Sequence, residues 1–221
     1  EVRNEEVFEF ENLNSKNLDS IREITMEIKW LPAWCSFNFR FNGMWDKWLG
    51  ILCKMLETTG WLPAWSNLNY GGNGMWDKWR KRFIEMLKGK GWLPVWCSLD
   101  FSYNKIWDEW LRIFSKMLEI TGWLPAWCDL TFQYTRFWKK WRERFIEMLK
   151  RTGWLPVWCK LYFGGNNIWY EWQKILSDMV KETGWLPAWC TLDFGHNKLA
   201  DEWKQILKEM ENRYPEAKFV Y

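Results

Sequence analysis

A repeat of 31 residues is the feature of this chain that most restricts its fold. The motif Trp-Leu-Pro-Ala/Val-Trp begins at six positions, with no insertion or deletion between them: Trp30, Trp61, Trp92, Trp123, Trp154 and Trp185. A fixed period of this length is typical of repeat proteins, in which each unit packs only against its neighbours. The chain is therefore expected to form a solenoid of stacked units.

The repeats also match in pairs. Lys78–Lys90 reads KWRKRFIEMLKGK, and Lys140–Thr152, 62 residues later, reads KWRERFIEMLKRT. Both segments precede the valine form of the motif, at Val95 and Val157. Either duplication of a 62-residue unit or deliberate design accounts for this match.

Each repeat has the pattern of a strand followed by a helix. Leu99 and Phe101 alternate with polar residues, which is the period of a strand with one solvated face. From Ile106 onward, apolar residues follow the i, i+3, i+4, i+7 spacing of an amphipathic helix. Parallel strands lie ~4.8 Å apart and packed helices ~8–10 Å apart. The fold class is therefore α/β, a curved solenoid with parallel strands on its concave face and helices on its convex face.

The strand and bend of each repeat resemble the leucine-rich repeat. Trp96-x-x-Leu99-x-Phe101-x-x-Asn104-x-Ile106 fits the consensus L-x-x-L-x-L-x-x-N-x-L. The segment 104–110, NKIWDEW, is similar to the start of the helical segment in ribonuclease-inhibitor-like repeats. This resemblance covers roughly residues 30–212 and implies a horseshoe. It favours a degenerate N-terminal capping repeat at 1–29, six repeats at 30–213 and a C-terminal cap or tail at 214–221, which forms a partial last turn of the solenoid.

The resemblance also implies a structural role for one asparagine column. In the family, this asparagine bonds neighbouring backbone at the bend after the strand, and a buried polar group needs such partners. The column, in which Thr135 is a weaker substitute, contains Asn42, Asn73, Asn104, Asn166 and Asn197.

A cysteine column is the other candidate for chemistry. It holds Cys35, Cys97, Cys128, Cys159 and Cys190, with Ser66 in the remaining repeat. A linear row does not converge as tetrahedral zinc requires, and the only histidine is His196. We expect part-buried free thiols in a reducing intracellular compartment such as the cytoplasm. No catalytic or phosphate-binding motif occurs, so we predict no enzyme, no metal and no cofactor.

Four columns hold all 23 tryptophans. They begin at Trp30, Trp34, Trp45 and Trp48, and Ala200 interrupts the third. The column from Trp34 occupies the first consensus position and is expected to point inward and to stack. Packing is the main hypothesis for all four. The alternative is that one column stays exposed and binds a partner, a membrane interface or an aromatic ligand.

The concave face carries the residues that vary while the framework stays fixed. We predict that a protein partner binds there, because tyrosine and arginine are frequent interface anchors. Phe41 lies at the same repeat position as Tyr103, Tyr134 and His196. The candidate binding residues are Arg40, Asn69, Asp100, Tyr103, Asp129, Gln133, Tyr134, Lys160, Tyr162, Asp193 and His196.

Two other functions stay open from the sequence. One is a structural or engineered scaffold without a ligand, in which self-association is possible, and the other is ligand or membrane-interface binding through tryptophan. The 31 basic and 28 acidic residues are too balanced to indicate a nucleic-acid partner. The apolar runs are too short to predict a membrane span.

Overall fold

The computed structural model describes residues 7–9, 34–41, 63–73, 95–104, 126–135, 157–166 and 188–221, and residues 23, 50 and 54 singly. Several predictions fall on the other residues and lie outside this description. They concern Asn42, the Trp30 column, the Trp45 column and the Trp48 column except for Trp203.

Eight short parallel strands form one sheet whose spatial order is the order of the chain. The strands are β1 (Val7–Glu9), β2 (Ser36–Asn38), β3 (Asn67–Asn69), β4 (Ser98–Asp100), β5 (Asp129–Thr131), β6 (Lys160–Tyr162), β7 (Thr191–Asp193) and β8 (Lys218–Val220). The strands β2 to β7 recur at 31-residue spacing, and each begins two residues after a tryptophan. This arrangement confirms the prediction of a parallel repeat solenoid.

Backbone pairing extends beyond the three residues of each strand. In the first repeat, Trp34 N–H donates to Ala64 C=O at 3.4 Å, and Phe41 N–H donates to Gly71 C=O at 2.9 Å. Equivalent bonds link the following repeats. From β2 to β6, each repeat therefore contributes a hydrogen-bonded segment of eight residues, from the tryptophan before the strand to the residue seven positions later.

The core lies on one face of the sheet, where every second residue is buried. In the first repeat, Cys35, Phe37 and Phe39 are each at most 3% exposed. Leucine replaces Phe37 in the later repeats, and the rings at the Phe39 position stack with centroids 5.6–6.1 Å apart. Burial of these apolar side chains is the main force that holds neighbouring repeats together.

The structure describes one helix, α1 (Asp201–Arg213), between β7 and β8. Its buried residues are Trp203, Leu207 and Met210, which lie on one face because they are spaced by four and three. The indole of Trp203 meets Phe194 edge-on, with centroids 6.4 Å apart. Trp203 thus belongs to the core, as its amphipathic spacing predicted.

The C-terminal segment continues the sheet. Residues 214–221, which the sequence analysis gives as a cap and a partial last turn of the solenoid, contain β8, which pairs in parallel with β7. The helix ends at Arg213, and its C-cap is Tyr214, where the following Pro215 disfavours helical conformation. Phe219 of β8 is 5% exposed and takes the core position of a further repeat, so this segment extends the sheet.

Candidate functional site

A left-handed residue lies at each end of these eight-residue segments. The tryptophans before strands β2 to β7 have φ between 63° and 71°. The residue seven positions later also has positive φ, and this second set is Phe41, Gly72, Tyr103, Tyr134, Gly165 and His196. A left-handed conformation costs a non-glycine residue roughly 1–2 kcal/mol, so ten such residues require compensating contacts.

The tryptophans before the strands form one continuous stack. We call Trp34, Trp65, Trp96, Trp127, Trp158 and Trp189 the Trp stack. Successive centroids lie 3.9, 3.9, 3.8, 4.2 and 4.9 Å apart, and the interplanar angles do not exceed 21°. Each ring stacks on its neighbours, and each tryptophan N–H donates a hydrogen bond to a carbonyl of the next repeat. Both interactions stabilise the left-handed backbone.

The predicted inward orientation of this tryptophan column is wrong. Trp34 to Trp158 are half-buried, and Trp189 is 49% exposed. The inward position belongs to the next residue, such as Cys35, because side chains alternate only from that residue onward. Cys35, Phe37 and Phe39 alternate with more exposed residues and form the inward face.

The cysteine column lies fully inside, where part-buried thiols were expected. None of the five column cysteines is in a disulfide, and each is at most 1% exposed. The sulfur atoms of Cys97 and Cys128 lie 3.3 Å apart, and Cys35 Sγ lies 3.3 Å from Ser66 Oγ. Among the described residues, no group of three histidine, cysteine or acidic side chains is arranged to hold a metal ion.

Burial of these thiols makes stability depend on alkaline pH. The hydrogen bond with Cys97, followed by burial, raises the pKa of Cys128 well above 9.0, and burial has the same effect on Cys159. Burial raises the pKa of Cys190 from 9.0 to about 11. Above pH 9 the unfolded chain loses thiol protons that the folded chain keeps, so the free energy of unfolding falls as pH rises.

We expect this fall to reach about 1.4 kcal/mol per pH unit for each such thiol, between pH 9 and the folded pKa. Urea unfolding from pH 7 to pH 11 measures it. The matched control is Cys128→Ser/Cys159→Ser/Cys190→Ser, since Ser66 already occupies this column in another repeat. Equal alkaline slopes for the two proteins would contradict the assignment.

The asparagine column satisfies the backbone at the bend after the strand. The side-chain amide of Asn104 donates to three carbonyls, those of Tyr70, Phe101 and Ser102, at 2.9–3.1 Å. Its Oδ1 accepts from Asn73 N–H at 3.0 Å. The side-chain amides of Asn73, Asn166 and Asn197 also donate to backbone carbonyls at their bends. The Oδ1 atoms of Asn166 and Asn197 accept from the backbone N–H of the column residue one repeat earlier. At position 135, where the column has threonine, Thr135 Oγ1 donates to Phe132 C=O at 2.8 Å.

We call the solvated side of the strands and of the turns that follow them the polar face. Its strand residues Asn38, Asn69, Asp100 and Asp193 share one contact, in which Oδ1 accepts from the N–H two residues later at 2.7–3.2 Å. This hydrogen bond holds the side chain of the last strand residue against the turn that follows the strand. Three of the predicted binding residues, Asn69, Asp100 and Asp193, therefore also have a local structural role.

The centre of the polar face carries an ion pair. Lys160 Nζ lies 3.2 Å from Asp129 Oδ2, and both side chains are part-exposed. Desolvation raises the pKa of Asp129, and the charge of Lys160 and its hydrogen bond oppose this shift. Burial, followed by the charge of Asp129, raises the pKa of Tyr162. Arg40 is exposed at one end of this face, and Gln133 is half-buried near Gly164.

Exposed aromatic rings follow the C-terminal ends of the strands. We call Phe41, Tyr103 and Tyr134 the aromatic row; their side chains are 67%, 49% and 39% exposed. The rings of Tyr103 and Tyr134 stack with centroids 4.8 Å apart, and Phe41 lies 6.4 Å from Tyr103. His196 is exposed at the corresponding position of the last repeat.

Glycine makes this row possible. A Cβ on Gly72 would lie 2.2 Å from the Phe41 ring, and one on Gly165 would lie 2.3 Å from the Tyr134 ring. These rings therefore extend over the two glycine positions. Phe41 aligns with Tyr103 and Tyr134 in the sequence, and this alignment was the signal for its place in the row.

No protein-family model matches the chain, and neither does any curated protein. Among the residues that the structure describes, no helix has the length and apolar character needed to span a membrane.

Proposed function

We propose that the chain is a leucine-rich-repeat solenoid of the ribonuclease-inhibitor-like type that binds a protein partner. Its strands line the concave side of a horseshoe, which is the polar face, and its helices form the convex side. The parallel register and the asparagine bonds at each bend support this classification. Its five buried cysteines that are not in disulfides fit a reducing intracellular compartment.

The aromatic row is the observation that carries the binding proposal. Interface anchors are enriched in tyrosine, and a rigid side chain loses less conformational entropy when it is buried by a partner. Tyr103 is held by its N–H bond to Gln133 C=O at 2.9 Å and by stacking on Tyr134. Its exposed ring is therefore already fixed before a partner arrives.

The polar face places hydrogen-bonding side chains beside the aromatic row. Asn69, Asp100 and Asp193 each use one side-chain oxygen for the local turn, and their remaining polar atom has no hydrogen-bond partner within the described residues. Arg40 follows β2 at one end of the polar face, and Asp193 lies on β7 near the other end. A partner segment that crosses the strands would bind with carboxylates near Arg40 and cations near Asp193.

The test is selection of random displayed peptides against the intact chain. Peptides with an apolar or aromatic anchor should be enriched, and their affinity should fall at least about 30-fold for Phe41→Ser/Tyr103→Ser/Tyr134→Ser. The matched control, Val95→Ser/Val157→Ser, polarises the opposite edge and should leave affinity unchanged. Failure to enrich any peptide, or equal binding by the triple variant, would reject the proposal. Self-association of the intact chain through the same row would favour the scaffold alternative.

A further inference from the structure

A second exposed surface lies at the N-terminal ends of the strands. It contains the last five tryptophans of the Trp stack and the residue before each of them, which is alanine or valine. Val95 is 48% exposed, Val157 is 41% exposed and Trp189 is 49% exposed. We call the set Ala64, Trp65, Val95, Trp96, Ala126, Trp127, Val157, Trp158, Ala188 and Trp189 the Trp edge.

The Trp edge also carries a line of hydrogen-bond donors. Within the described part of the chain, the indole N–H groups of its five tryptophans have no acceptor. They reach solvent, because Trp203 is the one described tryptophan whose indole nitrogen is both buried and without a partner. Consecutive rings are 3.8–4.9 Å apart, so the donors form a closely spaced row among apolar side chains.

A polar row limits the depth of this apolar surface. Two residues beyond each tryptophan, the strands place the first residue of the polar face, such as Ser98, Asp129 or Lys160. Two residues of strand span about 7 Å. Amphipathic surfaces that lie in a membrane interface insert their apolar part by about 5–10 Å. The Trp edge therefore has the depth of an interfacial surface.

The chemistry of the edge favours lipid over a protein. A protein that covered it would have to supply an acceptor at the spacing of every indole N–H, and each unsatisfied donor would cost free energy. Lipid carbonyl and phosphate oxygens are mobile acceptors, so they can match any spacing. Indole rings prefer this zone, where the ring contacts acyl chains and its N–H contacts headgroups.

We propose that the Trp edge binds the surface of a lipid bilayer, with its valine and indole side chains at the level of the headgroups. The contact is peripheral and reversible, because the ten residues named as the Trp edge carry no charged side chain that would tie the chain to one class of headgroup. It lies at the opposite ends of the strands from the aromatic row, so it does not depend on the proposed protein partner.

Co-sedimentation with phosphatidylcholine vesicles tests this proposal. The intact chain should bind, and adding about 20% phosphatidylserine, which makes the vesicle surface negative, should change the partition coefficient less than twofold. Val95→Glu/Val157→Glu should lower the coefficient at least about tenfold, because two exposed valines no longer enter the interface. Lipids brominated near the headgroup should quench tryptophan emission more strongly than lipids brominated near the chain ends.

The matched control is Phe41→Glu/Tyr103→Glu, which places the same charges on the aromatic row. It should bind vesicles like the intact chain, and circular dichroism should show that both variants stay folded. The proposal is overturned if the intact chain remains in the supernatant, if both variants lose binding equally, or if quenching is deepest with bromine at the chain ends. Sedimentation of the intact chain without vesicles would assign the Trp edge to a second copy and would also overturn it.

Discussion

Replacing Asn104 with alanine is expected to lower the free energy of unfolding by about 3–5 kcal/mol. The substitution removes the donor for the carbonyls of Tyr70, Phe101 and Ser102 and the acceptor for Asn73 N–H. Asn104 is 1% exposed, so water cannot replace these bonds without opening the bend. Chemical denaturation monitored by circular dichroism measures the change.

Thr135 provides the matched control for this prediction. It occupies the same column and makes two side-chain bonds, to Phe132 C=O and Asn166 Oδ1. Asn104→Thr should therefore cost about half as much as Asn104→Ala, and Thr135→Asn should add about 1 kcal/mol of stability. Equal losses from the alanine and threonine variants would show that the bonds to neighbouring carbonyls contribute little.

The second large effect is expected at the centre of the Trp stack. Trp96→Ala should lower the free energy of unfolding by about 3 kcal/mol, because the rings on either side lose their stacking partner. Trp96→Gly should cost about 1 kcal/mol less than Trp96→Ala, since φ is 63° and glycine adopts this conformation without strain. In ordinary helical or strand positions, glycine is the more harmful replacement.

Trp189→Ala is the control for the stack. Trp189 has one stacked neighbour in the series and is 49% exposed, so its loss should cost about half as much as the loss of Trp96. The exciton-coupled indole band in circular dichroism should weaken in both variants and more in Trp96→Ala. If alanine is tolerated better than glycine at position 96, the left-handed backbone is not what the tryptophan stabilises.

The strand positions and their parallel order were predictable because they depend on local alternation and on an unbroken period. Leu99 and Phe101 alternate with polar residues, and identical units can repeat this pattern only by stacking in register. The amphipathic spacing of Trp203, Leu207 and Met210 was equally informative for α1. Both signals can be read from the order of apolar and polar residues along the sequence, without knowledge of which side chains meet in the fold.

The orientation of the Trp stack was not predictable in the same way. It depends on a positive φ at tryptophan, a conformation that sequence patterns associate with glycine or asparagine. The backbone adopts this conformation here because neighbouring repeats supply an indole ring for stacking and a backbone carbonyl that accepts the tryptophan N–H. Exposure of Phe41 likewise depends on Gly72 in the next repeat, so neither feature can be derived from one repeat alone.

The strand-end hydrogen bonds and the stacks that are described join each repeat almost entirely to the repeats beside it. One contact reaches further, since the ring of Phe41 passes over Gly72 to Tyr103 in the third repeat. In such a linear array, cooperativity comes from the coupling between adjacent units, and opening at an end breaks a single interface. The molecule should thus behave as a chain of nearest-neighbour terms in which Phe41 adds one longer-range coupling.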